Sequence, residues 1–394
     1  MRLPKEPERS GVSGRSAIEP FLVMQVLAAA NKRAAEGGDV LHLEVGEPSG
    51  GAPRAALDAA RAALDGSALG YSEAFGLRPL RTAIARHIEA TYARAVPIER
   101  IAITAGASGG FILAFLAAFD AGARVAVAEP GYPAYRNILK ALDIEVVKLV
   151  TSETSGFQPT VADLEAIGGP LDGVIVASPA NPTGSLIDPA ELAAIARWCD
   201  ARGVRLISDE IYHGITYGRP GSTALASSTR AIVVNSFSKY WAMTGWRIGW
   251  LVLPDELVDP VERLAQNLFI SPSAVGQHAA IGALGAKPEL DARVAGYGEN
   301  RALLLDALPR IGLDRLVPPD GAFYLYADIG RFGLDSVDFC ARLLADTGVA
   351  ITPGNDFDVA RGNHYVRLSF AGARTTIEQA IDRLGPWLAR LDRR

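Results

Sequence analysis

The feature of this chain that most limits its fold is a series of short apolar runs separated by helix-like patterns. The runs that predict strands occupy residues 101–104, 124–128, 173–177, 204–207 and 231–234. Helical patterns cover residues 110–119 and 189–202. Because the runs are continuously apolar and rich in β-branched residues, both faces of the sheet should be buried. We therefore predict an α/β fold with a mainly parallel sheet sandwiched by helices.

The pattern changes after about residue 286, which predicts a second domain. Further strands are predicted over residues 322–326 and 365–369, among helical patterns typical of a smaller α+β domain. A helical pattern over residues 254–286 could bridge the two parts. A chain of 394 residues suits such a division. The predicted units are an N-terminal arm with part of the small domain (1–45), a large domain (46–285) and a small C-terminal domain (286–394).

Charge, hydropathy and cysteine content exclude several classes of protein. A formal net charge of −5 provides no basic surface for nucleic acid. The longest apolar stretch, from Phe111 to Phe119, is too short to span a membrane, and the N-terminus lacks the apolar segment of a secretory signal. Cys199 lies in an amphipathic helical pattern and is interpreted as a core thiol, not a metal or redox thiol. We expect a cytoplasmic protein with no metal, nucleic acid or membrane partner.

Polar and aromatic residues follow the first two predicted strands, at the edge where open α/β sheets bind ligands. After residues 101–104, the glycine-rich segment 105–110 opens a helix, and Ser108 could add a hydroxyl donor for an anion. The same segment could be a plain tight turn. Tyr132 follows the second strand and could stack on a planar ring, although core packing is the alternative.

Asn181 and Asp209 follow the next two strands. Asn181 belongs to an Asn-Pro-Thr-Gly turn and could point its amide into a site, or serve the turn alone. Asp209 comes directly after an apolar strand, where a carboxylate needs a cationic partner unless it caps a helix. His213, four residues later, is interpreted as a structural histidine.

Lys239 is one of only six lysines and has an unusual position. It follows the strand 231–234 together with Ser236 and Ser238, and Arg247 comes eight residues later. A lysine held out of water beside another cation is a nucleophile toward carbonyl groups. The alternative is a solvated lysine after a strand. We predict that Lys239 is the nucleophile of the site.

In this order, the segments resemble the class I/II aminotransferases, which are fold-type I enzymes that use pyridoxal 5′-phosphate (PLP). The resemblance extends from about Ile18 to the C-terminal helix. Each motif is weak or moderate alone, but seven or more in register favour the family strongly. The motifs are Glu44–Pro48, Gly70-Tyr71 with Gly76–Arg78, Ala105–Gly110, Pro130–Tyr135, Asn181–Gly184, Asp209–Tyr212, Ser236–Lys239 with Arg247, and Tyr365–Ser369.

The resemblance implies a role for each candidate residue. Lys239 would form the Schiff base with PLP, Asp209 would pair with the ring nitrogen, and Tyr132 would stack on the ring. The substrate would be bound by Arg367 through its α-carboxylate, by Asn181, and by Gly46, which allows a close approach. The other cofactor contacts would come from Tyr212 and Asn181 (3′-oxygen), from Ala107, Ser108, Ser236, Ser238 and Arg247 (phosphate), and from Tyr71 (phosphate of the neighbouring subunit in a homodimer).

The implied activity is ping-pong transfer of an amino group between an L-amino acid and a 2-oxo acid. A C–S β-lyase or another elimination enzyme on the same fold is the main alternative. A PLP-binding regulator is disfavoured because residues 1–16 are too short for a helix-turn-helix, and a nucleotide enzyme because no G-x-G-x-x-G follows a strand.

Two segments depart from the family pattern and leave the amino donor open. Asp358 stands where the common Pro-Gly-x-x-Phe-Gly motif ends in glycine, and residues 48–51 lack the aromatic often found there. We expect both segments near the substrate. The side-chain pocket should include the arm near Ile18 and Phe21.

Overall fold

The computed structural model describes residues 11–66 and 69–391. Its strands form three sheets, of which the largest has seven strands. In chain order the strands are β1 (Leu41–His42), β2 (Ile101–Thr104), β3 (Arg124–Glu129), β4 (Glu145–Val150), β5 (Gly173–Ala177), β6 (Arg205–Asp209), β7 (Ile232–Ser236), β8 (Gly249–Val252), β9 (Tyr324–Asp328), β10 (Val349–Ala350), β11 (Thr352–Pro353) and β12 (Tyr365–Ser369).

The seven-stranded sheet has the order β2-β8-β7-β6-β5-β3-β4. Its strands are parallel except β8, which pairs antiparallel with both neighbours. Strands β3, β5, β6 and β7 are apolar runs buried on both faces, as the sequence predicted. The predicted α/β fold with a mainly parallel sheet is confirmed, and the reversed strand β8 was not foreseen.

Two smaller sheets are formed by strands that lie before and after the strands of the large sheet in the sequence. Strands β11, β12 and β9 form an antiparallel sheet, and β1 pairs in parallel with β10. The pairing of Leu41 with Val349 ties the N-terminal segment to the C-terminal part of the chain. The domain boundaries at residues 45/46 and 285/286 stay a prediction.

Helices cover both the large sheet and the C-terminal sheet. They are α1 (Leu22–Ala35), α2 (Arg54–Gly66), α3 (Arg78–Tyr92), α4 (Gly106–Ala118), α5 (Pro133–Ala141), α6 (Val161–Glu165), α7 (Pro189–Arg202), α8 (Asp255–Leu268), α9 (Ala274–Leu284), α10 (Lys287–Arg310), α11 (Ser336–Thr347) and α12 (Arg374–Leu391). None of the helices among the described residues combines the length and apolar character needed to cross a membrane.

The predicted long helix over residues 254–286 is in fact two helices, α8 and α9. The break covers residues 269–273, where Ile270 has a positive φ of 64°. Pro272 cannot continue a helix, and the Ser273 side chain caps α9 by accepting a bond from the Gly276 amide at 3.2 Å. Helix α7, by contrast, has the predicted bounds because Asp188 caps its start and Gly203 ends it with a φ of 70°.

Separate apolar cores support the sheets. Residues of the large sheet pack with the flanking helices, whereas β9, β12 and the C-terminal helices share another core with Leu41 and Leu43. Cys199 is buried in the first of these cores and carries a free thiol. The interpretation of Cys199 as a core thiol is therefore confirmed.

Candidate active site

A cavity of about 380 Å³ lies at the carboxyl ends of the central strands. Residues that are far apart in the sequence, from Phe21 to Arg367, converge there. The predicted residues that line it are Gly46, Ala107, Ser108, Tyr132, Asn181, Asp209, Tyr212, Ser238, Lys239, Arg247 and Arg367. Ser236 and Tyr71 do not line it.

Lys239 lies three residues beyond the end of β7 and lines the cavity. Its Nζ donates a hydrogen bond to the Gly46 carbonyl oxygen at 2.6 Å and lies 5.9 Å from the centre of the Tyr212 ring. A Cβ on residue 46 would overlap the Tyr324 hydroxyl, so only glycine fits there. The glycine at position 46 thus permits a close approach to Tyr324, and the predicted close approach to the substrate stays a prediction.

Asp209 is the last residue of β6 and is only 4% exposed. One carboxylate oxygen accepts the Tyr135 hydroxyl, and the other accepts the Ile211 amide at 3.1 Å. Burial raises the pKa of Asp209 to about 6, although both hydrogen bonds act to lower it. The result is a buried carboxylate that lines the cavity and would be stabilised by a cation.

The N-terminus of α4 and Arg247 lie together in the lining of the cavity, and both have the chemistry to bind an anion. No side chain caps α4 at Ala105, and its first turn has no acidic residue, so its amides are open to an anion. The Arg247 guanidinium donates to the Thr244 carbonyl oxygen at 3.1 Å and lies 3.5 Å from the Ser238 hydroxyl. A Cβ on Gly106 would overlap this guanidinium, which explains the glycine at the start of α4.

Ser236 has a different position from the one predicted. Its hydroxyl donates to the Ile248 carbonyl oxygen at 3.0 Å and accepts the Ser238 amide at 3.1 Å. It is fully buried behind Ser238. Ser236 therefore shapes the turn that presents Ser238 and does not itself face the cavity.

Arg367 comes from β12 and also lines the cavity. Its Nη1 donates to the Asn181 side-chain oxygen at 2.9 Å, and its Nη2 donates to the Glu44 carbonyl oxygen. The guanidinium lies between the Tyr324 and Phe357 rings, 4.3 and 4.7 Å from their centres. Among the described residues, its Nε has no hydrogen-bond partner. A fixed, buried guanidinium with a spare donor suits a carboxylate.

Several lining residues were not predicted from the sequence. Tyr324 hydrogen-bonds to Tyr212 through the two hydroxyls at 2.8 Å, and Tyr135 holds Asp209. Glu47 and Thr244 also line the cavity and hydrogen-bond to each other. Tyr135 and Tyr324 lie within segments that were recognised as a motif and a strand, but no local pattern indicates which tyrosine faces a site.

An apolar wall formed by Phe21, Val23 and Met24 closes one side of the cavity. The Phe21 ring lies 5.8 Å from the Tyr132 ring, centre to centre. The prediction that Phe21 contributes to the pocket agrees with this position, whereas Ile18 is exposed and does not line the cavity.

The two segments that differ from the family pattern, residues 48–51 and 353–358, do not line the cavity. Asp358 instead pairs with Arg361, its carboxylate oxygen lying 2.8 Å from Nη2. Arg361 in turn donates to the carbonyl oxygens of Glu129 and Thr151 at 2.9 and 2.8 Å. Asp358 thus fastens the C-terminal part of the chain to the segment that leads to Tyr132.

His213 is a structural residue, as predicted. Its ring bonds to the Ser178 carbonyl oxygen through Nε2 at 2.9 Å and to the Tyr92 hydroxyl through Nδ1 at 2.6 Å. Burial lowers the pKa of His213 to about 4, so the ring is neutral near pH 7. Since Nε2 must donate to the carbonyl, Nδ1 accepts the Tyr92 proton.

Comparison with known proteins agrees with this geometry. The profile of the family described as aminotransferase class I and II matches residues 38–384. The chain belongs to this family. It is therefore an aminotransferase of the fold-type I, PLP-dependent group.

Individual members of the family resemble the chain over nearly its whole length. A valine–pyruvate aminotransferase from Mycobacterium tuberculosis is 55% identical over 96% of this chain and 98% of its own. A crystal structure of an aminotransferase from the same organism has a TM-score of 0.94 at 54% identity, covering 96% and 99% of the two chains. An aspartate aminotransferase from Thermus thermophilus with maleate has a TM-score of 0.90 at 31% identity, covering 95% and 99%. These relatives favour amino transfer over the β-elimination alternative.

The residues of this aminotransferase fit PLP as a chemical set. The helix terminus with Ser108, Ser238 and Arg247 suits a phosphate group. The buried Asp209 carboxylate suits a protonated ring nitrogen, because an uncompensated buried charge is costly. Lys239 and Arg367 share the lining of the same cavity with these groups.

Proposed function

We propose that this aminotransferase takes the amino group from an L-amino acid with a small apolar side chain, valine above all, and gives it to pyruvate. The supporting observation is the small number of positively charged side chains that line the cavity. In the described part of the chain, only Lys239, Arg247 and Arg367 bring positive charge to its lining. The cofactor and the α-carboxylate would occupy all three, so this chain itself offers none for a second carboxylate. The valine–pyruvate specificity of a 55% identical relative points the same way.

PLP, when bound, supplies the electron sink that stabilises negative charge at the substrate Cα. Lys239 would hold the cofactor through its carbonyl group, and its free amine would serve as the base that takes the proton from the substrate Cα. Its Nζ is available for this because it lies at the lining of the cavity, where it donates to the Gly46 carbonyl oxygen.

The other residues orient the reacting groups and exclude alternatives. Asp209 would hold the ring nitrogen and Tyr132 would pack on the ring, while Tyr212 and Asn181 would bind the 3′-oxygen. Ser108, Ser238, Arg247 and the Ala107 amide would hold the phosphate, and Ser236 positions Ser238. Arg367 binds the α-carboxylate in a bidentate fork, for which its stacking between Tyr324 and Phe357 provides a fixed plane.

A panel of amino donors with pyruvate as acceptor tests the substrate class. We expect kcat/KM for L-valine to exceed that for L-aspartate by at least about 100-fold, because burying an unpaired carboxylate costs several kcal/mol. L-alanine should lie between them, since it lacks the two methyl groups. Equal efficiency with aspartate would contradict the proposal.

We also propose that the active unit is a homodimer in which Tyr71 binds the phosphate of the neighbouring subunit. Tyr71 is 84% exposed and lies outside the cavity of its own chain, and Leu69 and Phe269 are exposed as well. Mixing inactive Lys239→Ala with inactive Tyr71→Phe tests this. If Tyr71 acts on the partner, the hybrid has one intact site and regains activity. A mixture that stays inactive despite subunit exchange would refute the arrangement.

We propose a cytoplasmic location for this enzyme. Its buried thiols Cys199 and Cys340 are free, and free thiols persist in a reducing compartment.

A further inference from the structure

Helix α1 begins without a cap of its own. Phe21, at its N-cap position, provides no side-chain hydrogen bond. The amides of Leu22 and Val23 instead donate to the two carboxylate oxygens of Asp356, each at 3.1 Å. Asp356 is 334 residues away from Leu22 and only 1% exposed. A negative charge at this end also complements the helix dipole.

The capped end of α1 is the part of the helix that faces the cavity. Phe21, Val23 and Met24 form the apolar wall there. Of the helix residues, only Ala30 is fully buried within a single chain, and partly buried Val26 packs beside it. At the first turn, which carries the wall, the two bonds to Asp356 fix the helix backbone.

The turn that carries Asp356 also supports the carboxylate-binding arginine. Phe357, the next residue, lies against the Arg367 guanidinium at 4.7 Å. The Asp356 carbonyl oxygen accepts a bond from Arg136 at 2.7 Å, which ties the turn to helix α5. One turn thus fixes both the site of the α-carboxylate and the wall that would meet the substrate side chain.

We propose that Asp356 is a specificity-determining positioning residue, which sets the preference for a branched apolar side chain by holding the start of α1 as the wall of the side-chain pocket. This inference rests on the proposed function. Asp356 touches neither cofactor nor substrate and acts through Phe21, Val23 and Met24. It therefore affects discrimination among donors and leaves the reacting groups in place.

The test compares L-valine and L-alanine in Asp356→Ala and in wild type. We expect kcat/KM for valine to fall about tenfold, mainly through KM, because two methyl groups lose their apolar contact. The value for alanine should change less than about threefold. Amide hydrogen exchange over residues 22–26 should accelerate in the variant. Asp188→Ala, which removes the cap of α7, is the matched control. It should change neither the ratio of kcat/KM for valine to that for alanine nor the amide exchange at α1.

Asp356→Asn and Phe21→Ala keep the proposal falsifiable if Asp356→Ala does not fold. The asparagine side chain keeps one acceptor and should give a smaller change in the same direction, and Phe21→Ala should lower the valine-to-alanine ratio with the cap intact. Faster amide exchange at α1 in an Asp356 variant, with an unchanged valine-to-alanine ratio of kcat/KM, would overturn the proposal. An unchanged ratio in Phe21→Ala would also overturn it. If the wild-type enzyme does not use apolar donors, the proposed function fails, whereas the exchange result still reports on the cap.

Discussion

The two ends of the cavity are held in place in different ways. At the cofactor end, Asp209 and the Ser236–Lys239 turn lie directly at the ends of β6 and β7, within a sheet buried on both faces. At the side-chain end, Phe21 and its neighbours belong to the start of a helix that is capped by Asp356, a residue from a distant segment. The difference teaches that cofactor chemistry is fixed by the core of the fold, whereas donor choice depends on contacts that can change without disturbing it.

The largest effect should come from the cofactor end. Lys239→Ala removes the only amine in the cavity lining of the described chain, and we expect transamination to fall by at least about 10⁴-fold. Lys140→Ala, an exposed lysine on α5, is the matched control and should retain full activity. Both variants should keep the same melting temperature. More than about 1% residual activity in Lys239→Ala would break the assignment of this end.

A smaller but still large effect should come from Arg367. Arg367→Ala leaves the α-carboxylate without its partner, and we expect KM for every amino donor to rise by about 100-fold or more. Cofactor affinity, measured by titrating the apoprotein, should stay within about threefold of wild type. Arg342→Ala on α11 serves as the control. Weakened cofactor binding with an unchanged KM for the amino donors would contradict the assignment of Arg367 to the substrate carboxylate.

The smallest effect should come from Tyr135, through the pH dependence of cofactor binding. The pKa of Asp209 is raised to about 6, so its charged form is present above that pH and is lost as the pH falls through it. Cofactor affinity should therefore weaken below about pH 6. Tyr135→Phe removes a hydrogen bond to the charged form and should move this weakening to higher pH. Cofactor affinity should be measured from pH 5 to 8 in both proteins. The same pH dependence in Tyr135→Phe and in wild type would refute the role of Tyr135.

The cofactor end could be predicted from the sequence because it depends on local order. An apolar run followed by a polar residue marks a strand end, and parallel strands bring such residues together. Asp209, Asn181 and Lys239 were identified in this way, and all three line the cavity. Ser236 met the same criterion but faces Ile248, because the turn directs its hydroxyl inward.

At the side-chain end, Phe21 was expected in the pocket and lines it, but the contacts that hold it there could not be predicted because they join distant segments. No pattern near Leu22 indicates that Asp356 would cap α1, and no pattern near Tyr324 indicates that its hydroxyl would meet Tyr212. The reversed direction of β8 has a related cause. A short buried strand has the same apolar composition in either direction, so only its pairing with β2 and β7 reveals it.

The central claim is that Lys239 is the residue that binds the cofactor covalently. Hydride reduction of the PLP-loaded protein converts that linkage into a stable C–N bond, and mass spectrometry of a digest then locates the modified lysine. We predict the phosphopyridoxyl group on Lys239, with no more than trace labelling of Lys140 and Lys148. Labelling of another lysine, or none on Lys239 in protein that has bound PLP, would contradict the account.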